Sequence, residues 1–205
     1  LSLQEMDRQA GEAAAFLQRL QAIPAASLSP AERTNHAILR TLLTDYVEAN
    51  RFGHRQLLYS TLGSYHDNLG WLGEALPFRN RADYDNYLAR LALVPERMRA
   101  YGELTRKAAR EGYVQPCVTL TRFPETITGQ IADDPAKSRF YAPFARPKPA
   151  SVSDADWAAL QARARDVIGR EVTPAYRDFA SLYGREIANK CRKDVSIAST
   201  PRGRD

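Results

Sequence analysis

The chain has 205 residues, 44% hydrophobic and 26% charged, a composition that fits a folded globular protein and excludes a disordered one. No window approaches the roughly 18 consecutive apolar residues that a membrane-spanning helix needs, and no charged-then-apolar leader opens the chain. The net charge is +5 and unevenly placed: residues 1 to 50 carry four arginines against six acidic groups, whereas residues 146 to 205 carry twelve lysines and arginines against eight acids. Arg alternates with Asp or Glu along that basic end, as on a solvated helix face. No nucleic-acid recognition motif accompanies the charge.

Leu3, Met6, Ala10, Ala13, Leu17 and Leu20 recur at helical spacing and predict a first helix that Pro24 ends. Ser29-Pro30-Ala31-Glu32 then supplies a Ser N-cap, a Pro at the first helical position and a Glu at the third, which is a capping box. Asn35, Ile38, Leu42, Tyr46 and Ala49 run down one face of the second helix, Leu39, Leu43 and Val47 widen it, and Gly53 ends it. The short link predicts that the two helices pack antiparallel as a hairpin.

From His54 to Leu76 the period fades and Gly63, Gly70 and Gly73 punctuate the run YSTLGSYHDNLGWLGEAL, the pattern of a long loop of the kind that is often functional. Tyr59, Leu62, Trp71 and Leu72 read as packing residues. Tyr65, His66 and Asn68 are the candidate binding residues, because polar groups gathered between bend-permitting glycines suit a site border better than a core.

Residues 77–116 carry the strongest pattern. Tyr84, Tyr87, Leu88, Leu91, Val94, Met98, Tyr101, Leu104 and Ala108 form one apolar stripe, Asn80 and Asp83 mark its start, and Gly112 and Pro116 its stop. Pro95 predicts a kink or two abutting helices with Pro95 in the first turn of the second. After Pro116, a Pro124-kinked helix is preferred over the strand that Val118–Thr121 would allow. Proline-rich residues 132–153 read as an extended connector. Ser153 caps a last long helix whose inward residues include Trp157, Leu160, Ala164, Val167, Tyr176, Phe179, Leu182 and Tyr183, with a kink at Pro174. The expected fold is all-α, an irregular array of about five or six helices.

Chemistry is sparse. The three histidines, His36, His54 and His66, form no zinc-ligand spacing, and no phosphate-cradling glycine loop or nucleophile elbow occurs. His36 and His54 read as surface residues. Cys117 and Cys191 stand 74 positions apart and read as buried free thiols, with a disulfide left open for an exported protein. On these grounds no catalytic or metal residue is assigned.

Three stretches together resemble a bacterial family known as domain of unknown function 885: PFRNRADYDNYLARLALVPERMRA continuing to EGYVQP, then DDPAKSRFYAPFARP, then Val172-Thr173-Pro174-Ala175-Tyr176-Arg177 leading into SIASTPRGRD. That family is similar to zinc metallopeptidases of the gluzincin type, mostly helical and often exported, periplasmic or lipid-anchored. The resemblance implies that these residues form the N-terminal helical half of a peptidase-like protein, walling a peptide cleft. The zinc would lie in a C-terminal half carrying a His-Glu-x-x-x-Gly-His-His-like motif, which no position here matches. The expected partners are that half and a peptide substrate. The expectation is therefore one helical region: a hairpin over 1–53, loop and central helices over 54–131, the connector over 132–153, a long helix over 154–192, and the start of the further half over 193–205. The opening Leu1 and the fading pattern after Arg192 give the expectation of a segment removed upstream and a longer chain downstream. The competing expectation is a non-enzymatic helical module that holds a protein partner.

Overall fold

Side-chain caps set four of the helix starts in the computed structural model, which describes residues 2–205. Ser2 caps α1 (Leu3–Gln21), and the Ser29–Glu32 capping box opens α2 (Pro30–Arg51). Two short helices follow, α3 (Tyr65–Gly70) and α4 (Leu72–Ala75). An Asn80–Asp83 capping box opens α5 (Arg81–Ala92), and α6 (Val94–Arg110) follows directly with Pro95 in its first turn. α7 (Phe123–Thr128), α8 (Asp154–Val167), capped by Ser153, and α9 (Thr173–Leu182) complete the set.

The fold is all-α, with nine α-helices and no strand among the described residues. That is more than the five or six expected, for three reasons. The central pattern splits at Leu93, the long last pattern is interrupted by π-turns, and the glycine-punctuated loop contains α3 and α4. At the first π-turn, Ile168–Val172, the Thr173 N–H donates to the Ile168 carbonyl five residues back. Pro174 explains it, since it has no N–H to donate to Arg170 four residues back and the preceding turn widens instead.

The stripe of α5 and α6 is the centre of the core: Tyr84, Tyr87, Leu88, Leu91, Val94, Met98, Tyr101 and Ala108 are all buried. α8 and α9 add Leu160, Ala164, Ile168, Val172, Tyr176 and Phe179. The expected extended connector is in fact part of this core. Ser138 caps a 3₁₀ segment, Arg139–Ala145, whose Phe140, Tyr141 and Phe144 are buried. Their rings outweigh the proline content, because each aromatic side chain removes a large apolar area from water. The expected kinked helix after Pro116 is a 3₁₀ turn, Cys117–Leu120, followed by α7.

The cysteines are not free thiols: Cys117 and Cys191 form a disulfide, with Cα atoms 4.9 Å apart. The backbone pairs alongside it, the Cys117 N–H donating to Arg192 O at 2.8 Å and the Arg192 N–H to Gln115 O at 3.0 Å. The following residues wrap around the Arg192 guanidinium, which donates to the carbonyls of Asp194 and Ser196.

α1 and α2 run antiparallel, with Asn50 bonded to Asp7 at 3.2 Å near one end and His36 to the Leu20 carbonyl at 2.9 Å near the other. His36 is thus a half-buried clip across the hairpin and not a plain surface residue, whereas His54 is exposed. The hairpin joins the rest of the molecule through Gly53, whose φ of +76° and contact with the Tyr113 ring leave no room for a side chain.

Candidate functional site

Tyrosines on the long helices hold the irregular segments in place. Tyr101 of α6 donates its hydroxyl to Leu58 O at 2.8 Å, Tyr87 of α5 to Phe140 O at 3.0 Å, and Tyr176 of α9 to His66 O at 2.5 Å. Each ring fills core volume while its tip donates to a backbone carbonyl of a loop, a 3₁₀ segment or the short helix α3. The turn before α3 is closed by Ser64, whose hydroxyl accepts from Ser60 N–H at 2.7 Å and donates to Ser60 O at 2.6 Å.

The three candidate residues separate on this scaffold. Asn68 is exposed and donates to Gly63 O at 3.3 Å, and Tyr65 is half-buried with its ring 5.5 Å from that of Tyr101. His66 is fully buried among the rings of Phe123, Phe179 and Tyr101, at 5.1, 5.5 and 6.2 Å. Its Nε2 lies 2.8 Å from the Thr126 hydroxyl, which donates its own proton to Phe123 O at 2.7 Å. The Thr126 oxygen therefore accepts, and the imidazole carries its proton on Nε2. Nδ1 has no partner. Burial pushes the His66 pKa down to about 4, so the ring is neutral at pH 7.

Trp71, expected to pack in the core, is instead about half exposed, and the Arg139 guanidinium lies 3.3 Å over its ring. Leu62, from the same run, is exposed as well.

A groove of about 250 Å³ opens between α6 and α9. Met98, Ala175, Phe179 and Leu182 floor it, and Arg99, Arg170, Glu171 and Asp178 stand around it. Gly102 lets the two helices approach, since a Cβ there would lie 3.1 Å from Leu182 Cδ1. Phe179 links the groove to the buried histidine: it lines the floor and its ring packs on His66. Periodicity did not single out the groove, because its rim is built from the exposed faces of two helices distant in sequence. The π-turn that supplies Arg170 and Glu171 had one visible sign, Pro174.

These residues do not fit a zinc ion. Among the described residues no three His, Cys, Asp or Glu side chains are grouped so that they could hold a metal, the two cysteines are bonded to each other, and His66 is enclosed by aromatic rings. Among the described residues no helix is long and apolar enough to cross a membrane.

The fold is similar to a crystal structure of the "putative lipoprotein" from Colwellia psychrerythraea, with a TM-score of 0.87 at 13% sequence identity. The match covers 100% of this chain and 37% of that one, so the chain spans little more than a third of the length of the protein it matches. No curated protein matches it. The family model described as "Bacterial protein of unknown function (DUF885)" matches residues 1–205, and the chain belongs to that family over its whole length.

Proposed function

We propose that this chain is the N-terminal helical part of a bacterial zinc-metallopeptidase-like protein, in which it shapes one wall of a peptide cleft and is not catalytic by itself. The observation that carries the reading is the α6–α9 groove. An extended peptide suits a surface with an apolar floor and charges of both signs around it: its side chains can rest on Met98 and Phe179, Arg99 or Arg170 can meet carbonyl or carboxylate oxygens, and Glu171 or Asp178 an ammonium. Tyr65 and Asn68 are the further border candidates. His66 stands behind Phe179 and is a positioning residue in this reading. Zinc ligands belong to a further part of the polypeptide, and no catalytic step is assigned to the residues described above.

Membership of the DUF885 family and the 37% coverage of the longer Colwellia chain support the reading of these residues as part of a larger protein. An exported location, periplasmic or lipid-anchored, belongs to the same proposal. It is supported by the Cys117–Cys191 disulfide, since such bonds persist in oxidising compartments, and by the description of the Colwellia protein as a lipoprotein. A non-enzymatic helical interaction module is the second reading, favoured by the exposed apolar residues of α2. A zinc-helix motif encoded downstream in the same gene decides against it.

The test is made in the full-length polypeptide. Arg99→Ala and Asp178→Ala are each expected to raise KM for peptides severalfold while kcat and zinc content hold. An unchanged KM in both variants removes the groove from the cleft.

A further inference from the structure

The α1–α2 hairpin lacks a finished core. Among the residues of both helices Ala10 alone is buried, whereas α5 and α6 together bury ten. Leu17, Leu43 and Val47 are only half-buried. Ile38, Leu42 and Tyr46, spaced four apart on one face of α2, are 54%, 61% and 46% exposed, and Phe16 of α1 is 53% exposed. Bonds to the rest of the molecule gather at the Asp7–Arg51 end of the hairpin, where Arg55 pairs with Asp7 and Arg202 donates to Arg51 O. The outer stripe is left uncovered among the described residues. Helices in bundles bury such stripes against further helices, and an exposed apolar face of this kind marks an interaction site.

We infer that the Ile38–Leu42–Tyr46 face is the seat on which a further part of the same polypeptide packs, an inference that rests on the proposed function. In the Colwellia protein the matching fold occupies 37% of the chain, so further polypeptide accompanies it there. A segment joined covalently meets this face at high effective concentration and sacrifices little translational freedom, so that a narrow stripe suffices. A second copy of the chain would have to overcome the full cost of association on the same narrow stripe. The occupant is an apolar face, helical in keeping with the all-α fold, that presents aliphatic or aromatic side chains to the stripe.

Hydrogen–deuterium exchange is measured on residues 1–205 and on the full-length polypeptide of the same gene, each with and without Leu42→Asp. Amides of residues 30–51 are expected to exchange about tenfold more slowly or less in the full-length protein. Leu42→Asp is expected to abolish that protection and lower the full-length Tm, while the Tm of residues 1–205 holds. Equal exchange in both proteins with a silent Leu42→Asp overturns the inference and leaves the proposed function standing. A gene that ends at residue 205 overturns both. A concentration-dependent dimer of residues 1–205 that Leu42→Asp dissolves gives the face to a second copy and overturns the inference alone.

Discussion

Protonating His66 tests the aromatic core directly. The folded chain holds the imidazole neutral, its pKa pushed from the ordinary 6.5 down to about 4, and burial is the one cause of the shift. Thr126 occupies Nε2, while Tyr101, Phe123 and Phe179 surround the ring without offering a carboxylate. Between these two pKa values the unfolded chain binds a proton that the folded chain refuses, so stability falls as pH falls from 6.5 and the loss levels off below about 4. At about 1.36 kcal/mol for each tenfold difference in proton affinity, the loss amounts to about 3 kcal/mol. Glu5, Glu32, Glu111 and Glu186 are held below the usual carboxylate range by their hydrogen-bond partners and add their own acid sensitivity. His66→Phe keeps a ring in the cage and removes only the titrating group. Urea unfolding of both proteins at about pH 7, 5.5 and 4 separates the two contributions. The native chain should lose about 3 kcal/mol more than the variant over this range. Parallel pH profiles would show that His66 is neither neutral nor enclosed as described.

Leu91→Ala removes a fully buried side chain in the last turn of α5 and should cost about 2 to 5 kcal/mol, read from the urea midpoint; an unshifted midpoint would mean that this face does not carry the core. Replacing both Cys117 and Cys191 by Ser opens a loop of 74-residue separation and should cost about 2 to 5 kcal/mol, with far-UV circular dichroism still helical. Equal stability of oxidised and reduced protein would contradict the bond. Gly53→Ala should destabilise by at least about 1 kcal/mol, because the left-handed backbone and the Tyr113 ring both oppose a side chain. A neutral effect in thermal unfolding would show that the junction relaxes freely.

Helix boundaries were legible where a local rule acts by itself. Ser29, Asn80 and Ser153 cap the helices predicted from them, and the stripe from Tyr84 to Ala108 is buried but for a half-buried Leu104. The run from Tyr59 to Leu76 was misread as a loop because α3 and α4 are too short to show a period. They persist through tertiary bonds such as that of Tyr176 to His66 O. Residues 139–145 were misread for the opposite reason: prolines dominate the local reading, while long-range packing of Phe140 and Phe144 decides the outcome. Of the candidate site, residue type alone picked out Tyr65, His66 and Asn68. Which of them face water depends on α7 and α9, more than 50 residues away, and so could not be read locally. The groove needs α6 and α9 side by side, a pairing that no local pattern encodes.

Zinc content and peptide cleavage, measured together on residues 1–205 and on the full-length polypeptide, separate a non-catalytic cleft wall from a self-sufficient peptidase. About one bound zinc and metal-dependent cleavage are expected in the full-length protein, with neither in residues 1–205. Stoichiometric zinc with chelator-sensitive cleavage by residues 1–205 alone would contradict it.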